Sequence, residues 1–218
     1  MNSRHLVRLF FTTLFLGGII AGIVGFLVRW EQFQPMFVAG DFLEIISTFI
    51  WLMGVGLIFG VISQMSFFAY LTIHRFGMGI FKNLWDGVQV VLIGFVLFDL
   101  VYLRYIAFGD GGSILPHLFF SAIVLAVGLV IAYVKMKQTN KRAFIPALFF
   151  MTVFTVLQWV PVLVENDQGW VYFMLWPLLV CNSYQLLKLH KINEQIAREA
   201  GNKQLNQSKD YENNVSKV

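Results

Sequence analysis

Apolar residues run along this chain in long blocks separated by short charged stretches. Each block is the size a membrane-crossing helix needs, about 20 residues for a hydrocarbon core of roughly 30 Å. Six stand out. The first lies between Arg8 and Arg29, the second between Glu44 and His74, and the third around Leu84 to Leu103, where Asp99 interrupts it. The fourth runs from Gly111 to Val134, the fifth from Ala143 to Val164 and the sixth from Gln168 to Leu187. The pattern predicts an all-α, polytopic membrane bundle of six transmembrane helices over residues 1–190. Beyond it, "LLKLHKINEQIAREAGNK" keeps a helical period, with Leu189, Ile192 and Ile196 on one face and Gly201 as a stop. Residues 191–218 are therefore expected to form a cytoplasmic helical extension and, past Gly201, a polar disordered tail.

Lysine and arginine set the orientation, because they are retained on the cytoplasmic side. With the N-terminus inside, 14 of the 16 basic residues are cytoplasmic and only Arg29 and Arg104 fall outside, so both termini are predicted inside. The outer loops then hold Glu31, Asp41, Glu44, Asp110, Glu165 and Asp167. The first block follows Arg4 and Arg8 as a secretory signal would, but it is longer than the roughly 7–15-residue core of a signal peptide and reads as a retained anchor. Trp30, Trp51, Trp85, Trp159, Trp170 and Trp176 mostly lie near block ends, where interfacial aromatic belts form.

Composition supports the membrane reading: 58% of the 218 residues are hydrophobic and 13% charged, against roughly 25% charged in ordinary soluble domains. No room is left for a separate extramembrane catalytic domain. The net charge of +4 comes from basic residues at block ends, not from a stripe interleaved with aromatics, so no nucleic-acid partner is expected. Cys181 is the single cysteine, which excludes an intramolecular disulfide and a thiolate metal cluster.

Asp86 and Asp99 are twelve residues apart, about 18 Å of helix and too short to span, so at least one lies within the hydrocarbon zone. An intramembrane ionisable group is a functional candidate by default. Asp86 is four residues after Lys82 and reads as its ion-pair partner in the first turn of the third helix. Asp99 falls about one turn below the outer boundary, and Arg104 lies on another side of the same helix. His117, after Pro116 at the outer start of the fourth helix, is the better partner; a pair of Asp99 and His117 would respond to pH.

"FGDGG" at 108–112 lacks the first glycine of the Gly-x-Gly-Asp signature of intramembrane aspartyl proteases and reads as a turn. There is no Gly-x-Ser-x-Gly elbow, no His-Glu-x-x-His helix and no metal-ligand spacing, so no enzyme, cofactor or metal is expected. Gly18, Gly22 and Gly25, with Ala21, form a small-residue face that permits close helix approach, within the bundle or against another protein; Gly56 and Gly60 form a second. Gln64, Gln158, Asn182 and Ser183 read as interhelical hydrogen-bond partners. Pro146, Pro161 and Pro177 interrupt the fifth and sixth blocks with no counterparts in the second and third, against an inverted repeat of the transporter kind.

In "SRHLVRLFFTTLFLGGIIAGIVGFLVRW", in its six-span length and in the closing "LHKINEQIAREAG", the chain resembles the KinB-signalling-pathway-activation (KbaA-like) family of endospore-forming bacteria. The resemblance implies an integral membrane regulator needed by a sporulation sensor histidine kinase of the KinB type, which feeds the phosphorelay. It implies no catalytic residue. On that view Leu189, Ile192 and Ile196 are candidate kinase contacts, with the Gly18–Gly25 face as a membrane-level candidate. The alternative is a small transporter or signal-ligand sensor using Asp99 and His117. The oligomeric state is left open.

Overall fold

The structure, a computed structural model, describes residues 3–108, 114–165, 167, 169–189 and 191–192. All six apolar blocks form helices over their described residues. They form α1 (Ser3–Val28), α3 (Phe42–Phe81), α4 (Trp85–Phe108), α5 (Leu115–Gln138), the pair α6 (Phe144–Phe149) and α7 (Thr155–Glu165) joined by a π-helical turn (Phe150–Phe154), and α8 over residues 169–189. An additional helix, α2 (Trp30–Ala39), occupies a connection that the charge pattern had assigned to loop. It holds because Phe33 and Phe37 pack edge-on against Phe26 of α1, and Gly40 ends it in the left-handed conformation at φ 69°. Asp41 then caps α3, its Oδ1 accepting the Glu44 N–H at 3.2 Å.

Among the described residues, four helical stretches are long and apolar enough to cross a membrane: His5–Val28, Phe42–Tyr102, Leu118–Gln138 and Lys141–Glu165. The second of these covers 61 residues and includes the reversal at the 3-10 turn Lys82–Leu84, where Lys82 takes φ 49°. Trp85 Nε1 reaches His74 Nδ1 at 3.0 Å, whereas an unbroken helix would hold the two residues about 16 Å apart. The stretch is thus two arms, α3 and α4.

Burial separates inner from outer helices. An apolar 18-residue window of the Lys141–Glu165 stretch is 67% buried, against 22–33% for the corresponding windows of the other three. Also enclosed is α8, which is not among the four: Val171, Leu175, Leu178, Cys181 and Asn182 are fully buried. It touches α1 through Thr13 and Cys181, α3 through Phe59 and Phe173, α5 through Lys135, and α7 through Trp159. The outer face of α1 carries Val7, Phe11, Phe15, Ile19, Ile23 and Leu27, all exposed and spaced by four.

The antiparallel pair of α1 and α3 is the closest contact. Gly17 and Gly18 lie on Gly56, Gly60 and Met53, Gly22 lies on Phe49, and Gly25 lies on Leu52 and Phe173. A side chain at Gly56 would sit 2.6 Å from the Gly17 carbonyl oxygen, so the two backbones touch where Cβ atoms are missing.

Two sequence expectations are corrected here. Trp85 and Trp159 are buried inside the bundle, unlike the exposed Trp30, Trp51 and Trp176, so they are packing residues and not belt residues. Lys82 and Asp86 form no ion pair among the described residues, because the chain turns at Lys82 and the two do not share one helix.

Candidate functional site

The reversal at Lys82 positions one wall of a cavity of about 760 Å³. Trp85 swings back over Gly77, the one place where a residue without a side chain lets the indole lie on the helix. Its Nε1 donates to His74 Nδ1, which fixes that nitrogen as an acceptor and puts the ring proton on Nε2. Gln89 Nε2 lies 3.1 Å from the same Nδ1, and the buried Gln89 Oε1 has no partner among the described residues. Phe81 stacks on Trp85, Phe149 meets it edge-on, and Tyr70 packs against His74 and Phe150, so this wall is built of interlocking rings.

The opposite wall comes from the end of α5 and the turn after it. Lys135 is buried, and its Nζ donates at 2.7 Å to the carbonyl of Leu186 in α8. The bond ties the end of α5 to α8. A 3-10 turn at Lys141–Ala143 then brings Arg142 to the rim.

Lys82, Lys135 and Arg142 line the cavity against one carboxylate, Asp86. Among the described residues Lys135 forms no ion pair, so its positive charge is balanced only by a carbonyl dipole. The arrangement can hold an anion. It has the donors for a multivalent acceptor but no nucleophile paired with a base.

A second polar group lies deeper, around Asn182. Its Oδ1 accepts from Ser63 Oγ at 2.7 Å, and its Nδ2 donates to Thr155 Oγ1 at 2.9 Å and Gln158 Oε1 at 3.3 Å. Gln185 Nε2 donates to Ser63 Oγ at 2.6 Å. These bonds join α3, α7 and α8, and Gln64 joins α3 to α1 through the Phe10 carbonyl at 3.0 Å. The interhelical roles expected for Gln64, Gln158 and Asn182 are thus observed. Ser183 divides its contacts: its hydroxyl lies 2.6 Å from the Leu179 carbonyl of its own helix and 4.0 Å from Met151 Sδ of the π-helical turn.

The residues singled out from the sequence are placed elsewhere. Asp99 is half-buried on α4 and has no hydrogen-bond or ion-pair partner among the described residues. The His117 side chain, residues 109–113 of the glycine-rich stretch, and Ile196 with the tail lie outside the described residues. Leu189 is half-buried and Ile192 buried, both in the apolar core. Gly18, Gly22 and Gly25 face α3 and α8 of the same chain. The cavity itself was not anticipated. Lys135 looked like one more boundary cation, and only its position one turn inside the end of α5 distinguishes it from Lys137.

Comparison with known proteins places the chain in a family. Residues 17–192 match the KbaA family model, described as KinB-signalling pathway activation in sporulation. The chain is similar to the KinB-signaling pathway activation protein of Bacillus subtilis (strain 168), at 44% identity over 194 residues, 88% of this chain and 98% of that protein. No solved structure matches it.

Proposed function

Since the chain belongs to the KbaA family, we propose that it is an integral membrane regulator that supports a KinB-type sensor histidine kinase in sporulation. The observation that carries this reading is the 44% identity extending over 98% of a relative named for KinB signalling. On this reading the chain crosses the membrane six times, through α1, α3, α4, α5, the α6–α7 pair and α8, with both termini in the cytoplasm. The gathering of Lys82, Lys135, Lys137, Lys141, Arg142 and Lys188 at one end, with Glu31, Asp41, Glu44, Glu165 and Asp167 at the other, supports that orientation. It acts without catalysis, by binding one conformation of the kinase better than another and shifting its population. Leu189 and Ile196 remain the candidate contact positions. At Ile192 a charged substitution tests folding as much as contact, because the residue is buried.

The test is epistasis. Sporulation frequency is measured after deleting this gene with the KinB-type kinase present and after deleting it with the kinase absent. A defect seen only when the kinase is present supports the pathway assignment. An equal, additive defect in both backgrounds refutes it.

A second reading, a small transporter or signal-ligand sensor, rests on Asp99, a carboxylate within an apolar helix and without a partner among the described residues. It predicts loss of activity in Asp99→Asn with kinase association intact. A silent Asp99→Asn removes its support.

A further inference from the structure

We propose that the cavity between α3, α4, α5 and α8 is a binding site for a phosphate group, carried by an anionic membrane lipid. Four observations converge on it. Three cations, Lys82, Lys135 and Arg142, line one space against a single carboxylate, Asp86. With His74 neutral, because its Nδ1 accepts from Trp85, the lining carries an excess of two positive charges. A phosphate monoester brings about −1.5 to −2 and oxygens enough to accept from all three.

Second, the innermost cation is built in. Lys135 is buried and held at 2.7 Å by the Leu186 carbonyl, which leaves two ammonium protons undirected by any described acceptor. Burying an ammonium with only a neutral acceptor is unfavourable, and an incoming anion relieves it.

Third, at about 760 Å³ the space exceeds what a bare inorganic ion fills, and Leu71, Met78 and Leu189 supply apolar lining. Fourth, Ile80, Phe81 and Leu84 are exposed at the turn from α3 into α4, interleaved in the chain with the lining residues Lys82, Asn83 and Trp85. That is a seat for hydrocarbon next to a seat for phosphate. Basic pockets between helices on the cytoplasmic side are a general setting for lipid headgroups.

The inference does not need the kinase assignment, and its test contains no kinase, so either can fail alone. The full chain is purified in neutral detergent, and its thermal midpoint is followed while dioleoyl phosphatidic acid, dioleoyl phosphatidylcholine or inorganic phosphate is titrated in. Phosphatidic acid is expected to raise the midpoint saturably and phosphatidylcholine not to. Lys82→Gln with Arg142→Gln, both exposed rim positions, should weaken apparent affinity at least about tenfold, since each charge-assisted hydrogen bond contributes roughly that factor.

Lys137→Gln with Lys188→Gln removes the same charge from the same end but outside the cavity. It should change affinity less than about threefold, the range of weak surface electrostatics. Asp86→Asn should tighten binding. A saturable response to inorganic phosphate alone, with the same sensitivity to variants, supports the phosphate site with a soluble source. Equal losses in the two double variants, or no response to either phosphate probe, overturns the proposal.

Discussion

The contact between α1 and α3 can be tested at Gly56. In Gly56→Ala the new Cβ would lie 2.4 Å from Ala21 Cβ, 2.6 Å from the Gly17 carbonyl oxygen and 2.8 Å from Gly18 Cα. Carbon atoms pack at about 3.5–4.0 Å, so the helices must part by about 1 Å, and no flexible side-chain end is present to yield instead. A gap of that size forfeits a quarter to a half of each dispersion contact across it. Overpacking costs about 1–3 kcal/mol in general, and a clash against backbone belongs at the upper end. Against this stands the roughly 1 kcal/mol that alanine gains over glycine in a helix.

The net expectation is a loss of about 2 kcal/mol. Gly54, two residues away on the same helix, has nothing within 4 Å of its Cβ position. Gly54→Ala should therefore be neutral or stabilising by up to about 1 kcal/mol. The two variants should differ by about 2–3 kcal/mol, roughly 30- to 150-fold in the unfolding equilibrium. Unfolding in mixed micelles with increasing mole fraction of dodecyl sulfate, followed by tryptophan fluorescence, measures it. Agreement of the two variants within about 0.5 kcal/mol would refute the close backbone contact.

Trp85→Phe keeps a ring over Gly77 but removes the donor to His74, and should cost about 1 kcal/mol by the same unfolding assay; no loss would mean that the hydrogen bond is not formed. Asn182→Ala removes the hub of three interhelical bonds. It should destabilise by about 1–2 kcal/mol, more than an average membrane hydrogen bond, and a cost below about 0.5 kcal/mol would show that Ser63, Thr155 and Gln158 find other partners.

The positions of the helices were legible in the sequence because each apolar block is bounded by charge or turn residues. The small residues at Gly18, Gly22, Gly25, Gly56 and Gly60 also announced a close approach. What could not be read was which helix lies inside. Lipid tails are as apolar as leucine, so a lipid-facing side and a protein-facing side look alike in hydropathy. Polar content is the remaining signal, and it misleads: Asn182 and Gln185 make α8 less hydrophobic precisely where it is central.

The same blindness hid the cavity. Trp85 and Lys135 carry the marks of boundary residues, and only the reversal at Lys82 and the approach of α8 turn them inward. The i, i+4 reading of Lys82 and Asp86 failed because it presumed one continuous helix.

The central place of α8 also sets an order of assembly. It leaves the ribosome after the other long helices described, yet Ser63, Thr155 and Gln158 find their partners on it, and α1 rests its glycines against Cys181 and Phe173. On the six-span reading, until α8 inserts α1 and α3 can pair through their glycines, but Ser63, Thr155 and Gln158 lack the Asn182 that joins them and the bundle stays open at its centre. A chain ended before residue 169 is therefore expected to insert and then to be cleared by membrane proteases. Pulse-chase half-lives of that truncation and the full chain measure this, and equal half-lives would show that the earlier helices close without their keystone.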